Sequence, residues 1–510
     1  MPIFRRLSVL PLILGFSAAL LAGAAETPAP TAAGSKPYTE KITVHDAVER
    51  ALAKNFTIRA SAFNVSISAA QVTQQFGIFD PSLTSSYNFS NNHAPQLVDP
   101  ATGLRPAATQ EKIDSYSAGL GGLLPWGLNY SLGTTSTNDR GTFNNFTDNF
   151  ASFAGITGRQ PLLRDAGFSA TTAQIRIAMT NHSISEWQFK QSVIDVITNV
   201  LDAYYNLDFA ISYYRSLLHS RESTAGLVAE NEKRFHVGSM SEFDVTQARS
   251  QLAMQEEGVL IARRQILDAE NALKALISDD RTARLLDWHI ELETLPEATV
   301  AVVDPAFDFP TALKQRPDYQ QAVANLKVSN INYRYQRNQL LPKVDLVGSY
   351  GYNGYDTMSD VSRRMVRNQD YRTYTYGVQV TVPLTFTTER GRYRAAKLQQ
   401  RQAETDLQKL EQDIVVSIGN AAGQIETTRQ RVAATRLARE LAQQTLDAEV
   451  KRLRAGTGNT FFVLQQQNML SGTEVSEANA LTDYHKAVAE YDRQLGVTLE
   501  KLNITLAVPK

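Results

Sequence analysis

The chain has 510 residues, no cysteine, and 51 lysines and arginines against 52 aspartates and glutamates, for a formal net charge of −1. Without cysteine there are no disulfides and no thiolate metal sites, and a near-neutral balance provides no general field for nucleic acid. The length leaves room for several domains.

Arg5 and Arg6 precede an apolar run from Leu7 to Ala22, and the small residues Gly23, Ala24 and Ala25 follow it. This is the pattern of a secretory signal at 1–25, cut after Ala24 or Ala25; the run is short of the roughly 20 residues that span a bilayer. The following stretch, 26–42, is rich in Ala, Pro and Thr up to Pro37 and reads as a disordered lead. No cysteine follows the small residues, so a diacylglyceryl anchor has no thiol to attach to. Beyond residue 25 no segment approaches a transmembrane helix, so an exported chain of this kind is either periplasmic or enters the outer membrane as β-barrel strands.

The rest of the chain is one unit written twice, at 43–277 and 309–496. Ala51, Leu52, Asn55 and Pro81 match Ala312, Leu313, Arg316 and Pro342 at one spacing. Gly155 to Leu162 matches Gly377 to Leu384, and Arg234, Gly238, Val245 and Leu252 match Arg452, Gly456, Val463 and Leu470. In the first copy the periodicity predicts a helix over Thr43 to Gln75, strands within 82–161, a long helix over Ala170 to Phe235, a tip at 234–241 and a helix over Ser241 to Ile277. Residues 278–308, with several prolines and acids, read as a linker or equatorial segment. The second copy predicts helices near 309–340, 391–454 and 460–495, strands within 343–387 and a tip at 452–460, before a C-terminal tail at 497–510 that neighbours the linker.

A helix of about 65 residues is roughly 100 Å long, far beyond the globular norm. The two shorter helices of each copy sum to a similar length and can flank the long one end to end. Ile197, Val200, Tyr204, Leu207, Ile211, Tyr214 and Leu218 alternate steps of three and four, a heptad seam. Leu407, Leu410, Ile414, Ile418, Ala421 and Ile425 give the second long helix its seam. The strands change period: Tyr374, Tyr376, Val378, Val380, Val382 and Leu384 take alternate positions with polar residues between, the texture of barrel strands. The first copy's strand region is longer than the second's by enough for two more strands, with Leu124-Pro125-Trp126-Gly127 as their turn, or else for an ornate extracellular loop. Four or six strands per chain both remain open. Neither number closes a barrel with a lumen, so closure requires other subunits.

Gly238 and Gly456 fit the position that ends a helix, Ser241 with Asp244 reads as a capping box, and Asn459 or Thr460 would cap the last long helix. The seven histidines are scattered without metal-ligand spacing, and no nucleophile motif or phosphate-binding loop accompanies them, so the reading is non-enzymatic with no cofactor. Arg363, Arg364, Arg367 and Arg372 form a basic stretch on an expected extracellular loop, either solvated or facing anionic lipopolysaccharide.

These features, in this order and twice, resemble the TolC family of outer-membrane efflux proteins across nearly the whole mature length. The cues are Gln160-Pro161-Leu162-Leu163, Ala312-Leu313 leading to Arg316-Pro317-Asp318, and the spaced pairs Arg234 with Gly238 and Arg452 with Gly456. The resemblance implies a mainly α fold with a β-barrel contribution. It also implies a homotrimer whose strands form one barrel in outer-membrane lipid and whose antiparallel coiled-coil hairpins form a periplasmic tunnel. That tunnel docks on a periplasmic adaptor protein and an inner-membrane pump, with Arg234, Val237, Gly238, Ser241, Arg452, Ala455, Gly456 and Thr460 as adaptor-contact tips. Family members narrow the tunnel with acids six and nine positions beyond the second tip glycine; Phe462 and Gln465 stand there instead. The aperture candidates are therefore Phe462 and Gln465, with Asp244 supplying charge from the first tip. The rival readings are a soluble periplasmic coiled-coil scaffold and an exported hydrolase, for which no constellation exists.

Overall fold

The computed structural model describes residues 38–293 and 304–506. The expected signal at 1–25 and most of the lead lie outside them. Tyr38–Ile42, expected within the disordered lead, is a strand, β1; Ile42 and its flanking aromatic contacts give it a partner to pack against. Thr43 then caps α1 (Val44–Lys54) through a capping box with Asp46. The single helix expected over 43–75 is two: Asn55 takes an extended conformation (φ −64°, ψ 127°), and its Oδ1 accepts from the N–H groups of Thr57 and Ile58 to start α2 (Phe56–Phe76).

Four strands follow, β2 (Ser82–Ala94), β3 (Thr109–Leu123), β4 (Asn129–Gly141) and β5 (Phe150–Pro161), then the short α3 (Gly167–Thr171). The Leu124–Gly127 turn joins β3 and β4, so the extra length is a hairpin and the chain has six strands in its main sheet. The first long helix, α4 (Ala173–His236), has 64 residues, about 96 Å. It turns at its tip into α5 (Glu242–Ile277).

The linker holds a strand, β6 (Trp288–Leu292), paired in parallel with β1. Buried Glu270 fixes α5 to it, pairing with buried Lys274 at 3.2 Å and accepting from the Ile290 N–H at 2.7 Å. The second copy begins with α6 (Pro305–Gln315) and α7 (Pro317–Asn338), broken at Arg316 (φ −66°, ψ 122°), where Pro317 disfavours the helical conformation for the residue before it. Then come β7 (Lys343–Asp356), α8 (Ser359–Asn368), β8 (Tyr371–Thr381), the 68-residue α9 (Thr387–Arg454), α10 (Thr460–Leu495) and α11 (Thr498–Lys501). The basic stretch expected on a loop is thus mostly the helix α8, ended by Gln369 in the left-handed region at φ 63°. The chain after Gly496 packs Leu499, Leu502, Ile504 and Leu506 into the same core as Trp288 and Ile290.

Within each copy the long helix is flanked by the shorter pair: α4 by α2 and α5, α9 by α7 and α10. The copies meet along α4, which touches both α7 and α10. Ile197, Val200, Tyr204 and Leu207 are buried in one core, and Ile414, Ile418, Ala421 and Ile425 in a second.

The main sheet runs β2-β3-β4-β5-β7-β8, antiparallel throughout. Its register aligns Leu83, Leu120, Leu132, Ile156, Tyr350 and Tyr374 as one continuous row, and all six are exposed. The adjacent row, one residue along and so on the opposite face, contains Gly119, Gly133, Gly155 and Gly351 on four neighbouring strands. A Cβ on Gly155 or Gly351 would strike the backbone of the facing strand and the ring of Phe153. One face is therefore apolar and aromatic, and the other, with Ser117, Thr135, Thr157, Ser349 and Thr375, is small and polar.

Candidate functional site

The two helical tips share one geometry. At the first, the Gly238 N–H donates to the Phe235 carbonyl (2.9 Å) and the Ser239 N–H to the Arg234 carbonyl (2.8 Å), with Gly238 at φ 76°. At the second, Gly456 donates to Leu453 (3.2 Å) and Thr457 to Arg452 (3.0 Å), with Gly456 at φ 77°. This paired closure satisfies the last helical carbonyls and needs a left-handed residue, which explains the glycine at each tip.

The arginine side chains then differ. Arg234 donates from Nε to Glu230 (3.0 Å) and from Nη1 to the Leu453 carbonyl (3.1 Å), tying the first tip to the second. Arg452 donates to Glu449 on its own helix (2.7 Å) and is exposed. Val237, Gly238, Ser241, Ala455 and Gly456 are exposed at the ends of the hairpins. Thr460, expected among the contact residues, is 1% exposed; it accepts from buried Asn231 (3.2 Å), so it joins the hairpins and offers no surface. Ser241 caps α5 through Phe243 alone, without the expected reciprocal bond from Asp244, and Asn459 caps α10 through Phe461.

The Asn231–Thr460 pair is one rung of a ladder that sequence reasoning missed. Thr224 donates to Gln467 (3.1 Å), and Ser216 to Glu474 (2.5 Å), so positions 460, 467 and 474 of α10 each present a polar group to α4 one heptad apart. Near the tips these rungs alternate with apolar contacts between the two copies, Val228 and Ala248 against Leu464. The heptad step of polar residues on α10 was visible in the sequence, but its partners on α4 are set by tertiary register.

Of the aperture candidates, Asp244 is half-buried, while Phe462 and Gln465 are exposed. Helices α5 and α10 approach at Gln251, whose Nε2 donates to Asn468 (3.0 Å). Helical spacing puts Asp244 and Gln247 on the Gln251 stripe of α5, and Phe461 and Gln465 on the Asn468 stripe of α10. Phe462 stands one residue round, its ring 5.6 Å from and edge-on to Phe461. Two carboxylate-free aromatics and one acid therefore border this level, with Phe243 as the first-copy counterpart of Phe461. Among the described residues no cluster of metal-ligating side chains exists, and no helix is long and apolar enough to cross a membrane.

A sheet with one continuous apolar face, raised on helical hairpins about 100 Å long, defines the outer-membrane channel class of protein. The chain belongs to the outer membrane efflux protein family, whose model matches residues 47–278 and 309–497. Among curated relatives it is 27% identical over 329 residues to the proteases secretion protein PrtF of Dickeya chrysanthemi, an alignment covering 60% of this chain and 66% of that protein. It is 24% identical over 344 residues to the outer membrane efflux protein BepC of Brucella suis, covering 63% and 71%. Solved structures share the fold: the outer-membrane channel OprN (TM-score 0.67, 18% identity, 89% of each chain) and the Campylobacter jejuni CmeC channel (TM-score 0.65, 18% identity, 89% of this chain and 86% of that one).

Proposed function

We propose that three copies of this chain form a passive export duct in the outer membrane, reached by way of a cleaved signal peptide. The duct receives its cargo from a periplasmic adaptor and an inner-membrane pump that supplies the energy. The observation that carries this reading is the exposed apolar row running unbroken to both edges of the sheet, β2 and β8, each with a single neighbour among the described residues. Lipid does not tolerate open edges, so β8 of one copy pairs with β2 of the next and the polar face becomes the lumen. The internal repeat supports the same closure: α4 packs on α7 of the second copy, and the corresponding face of α9 is free to take α2 of the next protomer. The exposed tip residues Val237, Gly238, Ala455 and Gly456 form the adaptor surface in this reading, and Asp244, Phe461 and Gln465 border the aperture. A periplasmic scaffold without a membrane would expose the same apolar row to water at great cost.

Single-channel conductance in a planar bilayer tests the proposal, with wild type beside Phe461→Ala and Asp244→Ala. Discrete channels that widen with either substitution support a gated duct. Folded protein that yields no channels, or that stays dispersed without detergent, overturns it.

A further inference from the structure

The helix α8 sits on the apolar, outward face of the sheet. Its Ser362 is fully buried, donating to the Gly354 carbonyl and to Ser152 Oγ, both at 2.9 Å. Ser152 and Gly354 are directly paired, and both lie on the face that carries Ile156 and Tyr350. Gly354 has no room for a side chain: a Cβ there would collide with the Ser362 carbonyl and crowd Val366. The glycine is thus the seat of the helix.

With Ser362 and Val366 turned to the sheet, Arg363, Arg364 and Arg367 are left exposed on the other side. Arg363 is steadied by Ser359 and Arg364 by Asp360 at 3.1 Å. Arg367 has no carboxylate partner among the described residues. Arg372 joins them: it pairs with Tyr352 in register, so it lies on the same outward face, stacked over the Tyr374 ring at 5.9 Å with no carboxylate of its own. Exposed Tyr350, Tyr374 and Tyr376 lie on this same face of β7 and β8. An amphipathic helix with cations outward, at the margin of an aromatic girdle, is built for a lipid headgroup layer. Two of its four cations already have local partners, and two are left to find theirs outside the chain.

We propose that α8 and Arg372 form a clasp that binds the phosphates of outer-leaflet glycolipid headgroups, holding the barrel at a fixed height in the membrane. This rests on the channel reading above. Guanidinium groups suit the task because each can offer two parallel donors to one phosphate.

The test is native mass spectrometry of the detergent-purified protein titrated with a phosphorylated lipid A and with its dephosphorylated form. Wild type is expected to retain the phosphorylated lipid selectively. The combined Arg363→Gln, Arg367→Gln, Arg372→Gln variant should lose on the order of a hundredfold in that affinity, each arginine near an anionic surface giving about fivefold. Gly354→Val keeps every arginine but unseats the helix, and should lose most of the selectivity too. Arg367→Gln alone gives a milder loss in a protein whose packing is untouched. Equal binding of both lipids, an unchanged triple variant, or full displacement by inorganic phosphate would each overturn the clasp, the last by making the site one for the free anion. Conductance of the same preparations in phosphatidylcholine bilayers separates the two readings: channels without lipid selection sink the clasp alone, and no channels from wild type sink the duct.

Discussion

Asn55 and Arg316 break their helices at matching points of the two copies, and each bonds a matching carbonyl: Asn55 Nδ2 donates to Leu276 and Arg316 Nη1 to Gln494, both at 2.9 Å. Leu276 and Gln494 stand at the spacing that relates Gly238 to Gly456. The same joint is thus made twice with different chemistry, an amide cap in one copy and a guanidinium in the other. Asn55→Ala removes two cap bonds and the cross-link, and should cost about 1–2 kcal/mol. Arg316→Ala should cost more, about 2–3 kcal/mol, because Asp318 would lose its two-pronged partner. Burial pushes the Asp318 carboxyl up, yet the Arg316 bonds outweigh it and hold the group below its ordinary value. Hydrogen exchange at the C-terminal ends of α5 and α10 measures both losses locally.

The polar ladder between α4 and α10 sets up a second expectation. Gln467 also donates from Nε2 to Ser223 (3.1 Å), so replacing Thr224 by Val, Gln467 by Leu and Ser223 by Ala turns the whole hydrogen-bonded rung into an apolar one, which is often neutral or stabilising. In a duct that opens by parting its hairpins, this variant stays closed longer, and its mean conductance falls below wild type. The single Gln467→Leu variant strands Thr224 and should instead lose about 1–3 kcal/mol of stability.

Arg234 ties the tips within one chain, and in the proposed trimer repeat symmetry would offer Arg452 the equivalent acceptor, the Phe235 carbonyl of the next protomer. The native chain has no cysteine, so Phe235→Cys with Arg452→Cys can be joined by a short bis-maleimide with no background. Covalent trimers from the double variant, and none from either single variant, are the expected result. Monomers only would place Arg452 away from the subunit boundary.

His485 supplies a pH dependence. Burial, with its ring stacked on Tyr205 at 5.1 Å and its Nε2 without a partner, pulls its pKa below the ordinary value. The unfolded chain then binds the proton first, so the stabilisation is complete above about pH 6.5 and is lost as pH falls toward the folded value. Asp202 and Asp208 on α4 run the other way, raised by burial, and regain stability only at lower pH. Thermal unfolding between mildly acidic and neutral pH should therefore slope upward in wild type and flatten in His485→Phe.

Much of this architecture is written in periodicity. Helices of 64 and 68 residues announce themselves through sustained heptads, and the repeat is legible because Arg234 and Gly238 recur as Arg452 and Gly456, the glycines being what one helix-ending geometry demands. The choice between four strands and six stayed open because length alone does not distinguish the β3–β4 hairpin from a loop. Tyr38–Ile42 was missed since a five-residue strand owes its existence to a distant partner, β6. The helix α8 was hidden because its seat is a glycine on another strand. Thr460 looked like a surface cap; only the arrival of Asn231 from the other hairpin encloses it.

The glycines that share one row on the polar face have a bearing on what can pass. Where these four neighbouring strands carry no side chain, that face of the sheet is main chain, covered in part by the ring of Phe153 and flanked by Thr84 and Thr373 on the edge strands. Backbone amides already spent on the sheet's own ladder have little left to offer a traveller of either charge. In the proposed duct that level is a low collar of main chain and threonine, which would leave discrimination among cargoes to an earlier stage.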